Sequence, residues 1–138
     1  MGTAQIREFV DRWFSLLSAH APVGELTACL AATGLEMIFP ERTLRSIDDF
    51  TSWYAAVGEA FADQDHDVER IEIQHRPDEN LYRLGVSVVW RATNVADGKL
   101  IAQRATQAWV LQYDKASGEP RIQKYYVVKL IDLETGTS

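Results

Sequence analysis

The first part of the chain carries apolar side chains at helical spacing. Between Gln5 and His20, apolar residues recur at intervals of three, four and seven positions, which places them on one face of a helix. The sequence therefore predicts an amphipathic helix over residues 5–20. Its apolar face comprises Ile6, Phe9, Val10, Trp13, Phe14 and Leu17.

Two shorter elements are predicted to follow. Pro22 suits the first turn of a second helix and Gly34 suits its C-terminal cap. Its apolar side would be Leu26, Cys29 and Leu30. The alternation of Leu35, Met37 and Phe39 with their neighbours then predicts a short strand that Pro40 ends.

A third helix is predicted to begin near Ser46. Ser46 and Asp49 form a variant capping box, in which Asp takes the place where Glu or Gln is usual. Trp53 would lie beside the buried stripe of this helix. That stripe comprises Ile47, Phe50, Tyr54, Val57 and Phe61.

From residue 68 onward the apolar period changes to two, which predicts four strands joined by short turns. Turn signals lie at 77–80, at Asp97-Gly98 and at 114–120. The predicted strands contain Ile71, Ile73 and His75, then residues 82–90, 100–113 and 122–131. The segment between the third helix and these strands, with Asp63, Asp65, His66 and Asp67, is predicted to be a solvated acidic connector.

Helices clustered before antiparallel strands indicate an α+β fold. Both faces of the last two strands carry apolar groups, so both faces need a cover. Simple alternation places Trp109, Leu111, Tyr126 and Val128 on one face, and Ala108, Val110, Tyr125 and Val127 on the other. We expect the helices to cover one face and a partner subunit to cover part of the other.

This order of elements, with the capping sequence Arg45-Ser46-Ile47-Asp48-Asp49-Phe50, resembles the nuclear transport factor 2-like superfamily, in its polyketide cyclase and ketosteroid isomerase-like (SnoaL-like) branch. The resemblance implies one domain over residues 1–138, with an ordered core at about 5–132. It implies a cystatin-like cone, in which three N-terminal helices pack on a strongly curved mixed or antiparallel sheet. It also implies a pocket between sheet and helices, and homodimers that pack through the sheet.

Composition and charge narrow the classes of partner. The net charge is −6, and Lys and Arg form no cluster, which argues against nucleic acid and anionic membrane surfaces. No apolar run approaches the ~18 residues of a membrane span. The lone Cys29 fits a reducing compartment. On these grounds we expect a cytoplasmic protein. We expect neither a metal nor a cofactor, because the motifs for phosphate, dinucleotide or zinc binding are missing.

The aromatic residues are the candidates for a pocket wall, because small-molecule sites are mostly apolar with a few polar groups. Tyr54, Gln107 and Tyr126 would be those polar groups. The predicted ligand-binding set is Trp13, Phe39, Trp53, Tyr54, Trp90, Gln107, Trp109 and Tyr126.

The resemblance also bears on catalysis. Ketosteroid isomerase-like enzymes carry a Tyr on the first helix, a general-base Asp at the end of the first strand, and a hydrogen-bond-donating Asp on a late strand. Trp13, Phe39 and Trp109 occupy the matching places here. None of these side chains exchanges a proton near neutral pH, which disfavours isomerisation by that machinery.

Other side chains could still transfer protons. His75 shares a predicted strand face with Ile71 and Ile73, and its ordinary pKa of about 6.5 suits a general base. The simpler interpretation is a histidine at the edge of the core. Glu41, with Arg42 nearby, could lie over the pocket mouth, but incidental surface charges are the simpler interpretation there too.

The sequence therefore predicts a protein that binds a small apolar or ring-containing molecule in an aromatic-lined pocket. One alternative is an enzyme of the polyketide cyclase, dehydratase or isomerase type that uses His75 or Tyr54 for proton transfer. Another alternative is a non-catalytic dimerisation domain.

Overall fold

The computed structural model describes residues 2–74 and 80–133. Within this part the helices are α1 (Thr3–Ser18), α2 (Val23–Thr27) and α3 (Ile47–Ala60). The strands are β1 (Glu36–Ile38), β2 (Thr43–Leu44), β3 (Phe61–Gln74), β4 (Leu81–Asn94), β5 (Leu100–Asp114) and β6 (Glu119–Asp132).

The six strands form one mixed sheet in the order β2-β1-β6-β5-β4-β3. All neighbours are antiparallel except β1 and β6, which run parallel. The sheet does not close, since β2 and β3 are its two edges. Three helices packed on a mixed sheet confirm the predicted α+β class and fit a cystatin-like cone.

The apolar face of α1 forms the centre of the core, as predicted. Ile6, Val10, Trp13 and Phe14 are almost fully buried, whereas Phe9 is only partly buried. Burial of side chains of this size contributes about 1.5–3 kcal/mol each relative to exposure. The core cluster also takes in Leu26, Met37, Leu44, Phe50, Leu84, Val86, Trp109, Leu111, Ile122 and Tyr125.

The predicted cap of α3 is half confirmed. Ser46 Oγ accepts a hydrogen bond from the Asp49 backbone N–H at 3.0 Å. Asp49 Oδ2 accepts from the backbone N–H of Arg45 at 2.9 Å, one residue earlier than a full capping box requires. The helix start is therefore fixed by both side chains, with a shifted return bond.

The second helix is shorter than the sequence predicts. It ends at Thr27 rather than near Gly34, because the chain beyond it bonds to β6. The Ile122 backbone N–H donates to the Cys29 carbonyl at 2.7 Å, and the Ala31 N–H donates to the Ile122 carbonyl at 2.8 Å. The short strand β2, which pairs with β1, has no counterpart in the prediction.

The prediction of a solvated connector at residues 63–67 is wrong. This segment belongs to β3, which begins directly after α3 at Phe61 and pairs with β4. A register shift between Ala62 and Asp65 accompanies a left-handed backbone at Asp63, with φ of 51°. The acidic side chains are exposed to solvent, so the segment pairs as a strand despite its charge.

The predicted faces of β6 are also wrong, because the pairing of β5 with β6 contains two register shifts. One lies between Val110 and Leu111, and it brings Tyr125 opposite Trp109. Tyr126 consequently lies opposite Ala108, on the outer face of the sheet. Tyr125, rather than Tyr126, shares the inner face with Trp109.

No helix in the described part of the chain is long and apolar enough to cross a membrane.

The outer face of the sheet carries exposed apolar residues, and a homodimer through this face stays a prediction. Val128 is 67% exposed and Ile131 is 41% exposed. We expect a dimer at micromolar concentration in size-exclusion chromatography with light scattering. Val128→Glu should shift the population to monomer, because the substitution buries an unpaired charge at the contact. Val95→Glu, in the exposed turn between β4 and β5, is the matched control. A monomeric parent protein would refute the prediction.

Candidate functional site

A cavity of about 690 Å³ lies between the helices and the inner face of the sheet. Its apolar walls come from α1, the segment after β1, α3 and the four long strands. Volumes of this order accommodate a drug-sized molecule. The apolar side chains that line it include Phe14, Leu17, Phe39, Trp53, Val57, Phe61, Val88, Trp90, Val127 and Leu130.

Aromatic rings make up much of this wall. Phe39 stacks on Trp53 with ring centroids 4.3 Å apart and an interplanar angle of 22°. Phe61 meets Trp90 edge to face at 4.9 Å. These contacts hold the rings in defined orientations, so the wall offers preformed flat surfaces.

His66 on β3 lines the cavity. Its backbone N–H donates to Ser18 Oγ on α1 at 2.8 Å, and its Nδ1 lies 3.0 Å from the same hydroxyl. The ring stacks on Phe14, with centroids 5.6 Å apart. Ser18 therefore fixes both the strand position and the ring of His66.

The protonation of His66 follows from this environment. Burial lowers the pKa of His66 to about 4, because the imidazolium form would lose its hydration. The imidazole is therefore neutral at pH 7. A serine hydroxyl can donate to Nδ1 or accept from it, so both neutral tautomers are compatible with the Ser18 contact. No residue in the described ranges hydrogen-bonds Nε2.

Two glutamine side chains in the cavity wall are bonded to tryptophans. The Trp109 indole N–H donates to Gln107 Oε1 at 2.9 Å, and the Trp90 indole N–H donates to Gln64 Oε1 at 3.1 Å. Gln107 is only 6% exposed, so its amide is buried in the wall. These bonds satisfy the amide oxygens.

Tyr125 adds a hydroxyl to the same wall. Burial raises the pKa of Tyr125 to about 12, and the Trp13 and Gln107 side chains at the hydroxyl oppose that rise only in part. The phenol therefore stays protonated across the physiological range.

The formal charges that line the cavity are carboxylates. Glu41 and Asp132 are lining residues, and Asp132 Oδ1 accepts from Gln103 Nε2 at 2.7 Å. The described lining contains neither Lys nor Arg. In the described part of the chain, no group of three or more His, Cys, Asp or Glu side chains could hold a metal ion.

The structure brings four of the eight predicted ligand-binding residues to the cavity: Phe39, Trp53, Trp90 and Gln107. Trp13 and Trp109 are buried in the core behind the wall and meet edge to face at 6.5 Å. Whether the four lining residues bind a ligand stays a prediction.

The two predicted tyrosines do not line the cavity. Tyr54 donates its hydroxyl proton to the Ala21 carbonyl at 2.6 Å, and its ring stacks on His20. Tyr126 donates to Glu36 Oε1 at 2.7 Å on the outer face. The hydroxyl groups of both tyrosines are thus hydrogen-bonded within the protein, away from the cavity. His75, the predicted base, lies outside the described residues.

Sequence reasoning missed His66, although a signal was present. Acidic residues stand at 63, 65, 67 and 69, and Gln64, His66 and Val68 stand between them. This strict alternation predicts a strand with one charged face and one inward face. The density of charge suggested a loop instead, because three aspartates in five residues are unusual in a strand.

Comparisons with known proteins find relatives at the level of structure but not of sequence. No family model and no curated protein matches the sequence. Solved structures do match. A putative scytalone dehydratase from Novosphingobium aromaticivorans has a TM-score of 0.80 at 12% identity, with 98% of this chain and 93% of that chain covered.

Two further structures agree with that fold. The hexachlorocyclohexane dehydrochlorinase LinA-type3 from Novosphingobium barchaimii has a TM-score of 0.79 at 12% identity, covering 97% of this chain and 90% of that one. A ketosteroid isomerase-like protein from Erwinia carotovora has a TM-score of 0.74 at 14% identity, covering 95% of each chain. These likenesses show a shared fold, so the fold that the resemblance implies is confirmed.

The lowered pKa of His66 makes stability depend on pH. Between pH 6.5 and 4 the unfolded chain binds a proton that the folded chain excludes, so the stability contribution is full above pH 6.5 and is lost as pH falls towards 4. We expect this group to remove about 1–2 kcal/mol of unfolding free energy between pH 7 and pH 5. Urea denaturation at the two pH values measures it.

His66→Asn should reduce the pH dependence by that amount, because it removes the titrating group. Equal pH dependence in the parent protein and His66→Asn would contradict the assignment.

Proposed function

We propose that this chain, which has the fold of the nuclear transport factor 2-like superfamily, binds a small and largely apolar ring-containing molecule in its cavity. The observation that supports the proposal is the aromatic-lined cavity of about 690 Å³. A non-catalytic dimerisation domain needs no such cavity, so ligand binding is favoured over that alternative.

The wall chemistry supports a flat ring as the ligand. A ring that enters the cavity removes apolar surface from water on both partners, at about 25 cal/mol per Å². The stacked pair Phe39 and Trp53 offers an aromatic surface for offset or edge-on contact. A second aromatic pair, Phe61 and Trp90, meets edge to face in the same cavity wall. Because both pairs hold their rings in fixed orientations, they limit the orientations that a ligand can take between them.

The binding proposal can be tested by filling the cavity. We expect 1-tetralone, a bicyclic ketone, to bind with a dissociation constant of about 0.1–1 mM, as suits a ligand with few atoms. Val127→Phe adds a ring to the cavity wall and should weaken binding at least about tenfold. Isothermal titration calorimetry measures both.

Val95→Phe is the matched control, because Val95 lies in the turn between β4 and β5, is 56% exposed and is not a lining residue. Circular dichroism melting confirms that each variant is folded. If Val127→Phe binds as tightly as the parent protein, the ligand does not occupy this cavity.

A second candidate function is proton transfer by His66. The specific observation in its favour is the position of a neutral imidazole in the cavity wall, with Nδ1 held by Ser18 and Nε2 without a described partner. In the tautomer with the proton on Nδ1, Ser18 Oγ accepts from it, and the Nε2 lone pair can accept a proton from a bound ligand. His66 is therefore our candidate base instead of Tyr54, because the Tyr54 hydroxyl is bonded to the Ala21 carbonyl.

The similar structures support this candidate at the level of reaction type. Their names include a putative dehydratase, a dehydrochlorinase and a ketosteroid isomerase-like protein. Loss of water and loss of HCl both remove a proton from carbon while a bond on the neighbouring carbon breaks. In this candidate, His66 Nε2 takes the proton, the pair of electrons left on carbon forms the new double bond, and the leaving group departs from the neighbouring carbon.

Proton transfer can be tested without knowledge of the natural substrate. We expect the protein to accelerate deuterium exchange at C2 of 1-tetralone in heavy water at neutral pD by about 10²-fold over buffer, as is usual for a positioned base. His66→Asn should remove the acceleration, and His20→Asn should retain it. Proton NMR follows the exchange. No acceleration by the parent protein, with 1-tetralone shown to bind, would count against catalysis.

A further inference from the structure

A groove on the outer face of the sheet is separate from the cavity. Its volume is about 550 Å³, and strands β3, β4, β5 and β6 all contribute to it. It has no described lining residue in common with the cavity on the inner face. Val128 and Ile131, which belong to the predicted dimer contact, also lie outside its lining. The groove is therefore a candidate for a second site.

The floor of the groove is formed by small side chains. Gly85 on β4 pairs with Ala108 on β5, and Ala108 pairs with Tyr126 on β6. Paired residues share one face of a sheet, so these three stand side by side on the outer face. Because Gly85 has no side chain and Ala108 has only a methyl group, the surface of the sheet is low at this point.

The described surroundings of Gly85 do not require a glycine. Its φ angle lies outside the left-handed region, and its pairing with Glu72 and Ala108 continues without a register shift at this point. A Cβ atom added here would lie 3.7 Å from Cβ of Glu72, which is an ordinary van der Waals contact. Glycine weakens the interior of a strand, and without a local backbone reason it marks a place where a ligand or another chain comes close to the sheet.

Two cationic side chains flank this floor. Arg83, Val110 and Lys124 form the next row across β4, β5 and β6, with about 4.8 Å between neighbouring strands. Lys124 Nζ donates to the Gly34 carbonyl at 3.0 Å and lies 3.8 Å from Glu36 Oε1. In the described part of the chain, Arg83 has neither an ion pair nor a side-chain hydrogen bond. The Arg83 guanidinium is therefore available to a ligand.

The charge of the groove is opposite to that of the whole protein. The chain has 20 acidic and 14 basic side chains, whereas the described lining of the groove contains two cations and no carboxylate. Two carboxylates at its margin are already paired: Glu36 accepts from the Tyr126 hydroxyl at 2.7 Å, and Glu72 Oε1 lies 3.1 Å from Arg70 Nη2. A guanidinium binds a carboxylate through two parallel hydrogen bonds, so the groove suits a carboxylate ligand.

We propose that the outer groove is a second binding site, which takes a flat aromatic carboxylate. The ring lies on the floor of Gly85, Ala108 and Val110, and the carboxylate pairs with Arg83. A volume of this size accommodates two fused rings. This inference does not depend on the function proposed for the cavity, because the two sites have different walls and opposite charges.

A pair of ligands with the same ring system tests the inference. 2-Naphthoate and 2-naphthamide are titrated by calorimetry at pH 7 and low ionic strength, both into the parent protein and into Val127→Phe, in which the cavity is filled. We expect 2-naphthoate to bind both proteins with a dissociation constant of about 0.1–1 mM. In Val127→Phe, 2-naphthamide should bind at least about fivefold more weakly than 2-naphthoate. Equal binding of acid and amide in that variant overturns the inference.

Two further variants locate the ligand in the groove. Arg83→Gln should weaken 2-naphthoate binding about fivefold to tenfold, because it removes the guanidinium that pairs with the carboxylate. Arg91→Gln is the matched control, since Arg91 lies on the same strand, carries the same charge and is outside the groove lining.

Gly85→Leu places a side chain on the floor and should weaken binding at least about tenfold. Its control is Thr106→Leu, which adds an apolar side chain at an exposed position on the same face and outside the lining. Circular dichroism melting shows that each variant is folded.

The outcomes separate this site from the cavity and from a subunit contact. If Val127→Phe abolishes 2-naphthoate binding, the ligand occupies the cavity and the inference is refuted. If the parent protein is a dimer that does not bind 2-naphthoate, a second copy covers the groove and the inference is refuted. If Arg83→Gln and Gly85→Leu both bind like the parent protein, the groove is not the site. Failure of 1-tetralone to bind refutes the proposed cavity function and leaves this inference unchanged.

Discussion

The pairing of β5 with β6 decides which side chains this protein presents to its cavity. A register shift of a single residue exchanges the two faces of a strand, because side chains alternate with a period of two. The shift between Val110 and Leu111 turns Tyr125 inward and Tyr126 outward. A second shift lies between Thr106 and Gln107. It leaves Val128 exposed and without a paired residue on β5, and it turns Leu130 towards the inner face. The cavity chemistry thus depends on these irregularities in backbone hydrogen bonding.

The presence of three helices followed by long strands could be predicted from the sequence because it follows from local patterns. The stripe of α1 and the Ser46 cap are set by residues within a few positions of each other. The end of α2 could not be predicted, since it depends on backbone bonds between the segment after Thr27 and Ile122. The faces of β6 and the length of β3 depend in the same way on a partner strand that is distant in sequence.

The candidate site shows the same division. Residue type and local period predict four pocket residues that line the observed cavity, namely Phe39, Trp53, Trp90 and Gln107. His66 was missed because the acidic residues on both sides of it make its strand resemble a solvated loop in the sequence. Its role depends on Ser18, a residue 48 positions earlier, which no local pattern connects to it. The site is therefore a product of packing between α1 and β3, where a hydroxyl and an imidazole meet in an apolar setting.

The acidic face of β3 has a consequence for association. β3 is an edge of the sheet, so one row of its backbone N–H and C=O groups has no neighbouring strand and could pair with another chain. Asp63, Asp65 and Asp67 place a charge at every second position along that edge. Two such edges would repel each other in an antiparallel approach, and the backbone irregularity at Asp63 distorts the start of the edge. The same aspartates that make this strand resemble a loop in the sequence thus protect its edge from pairing with another chain.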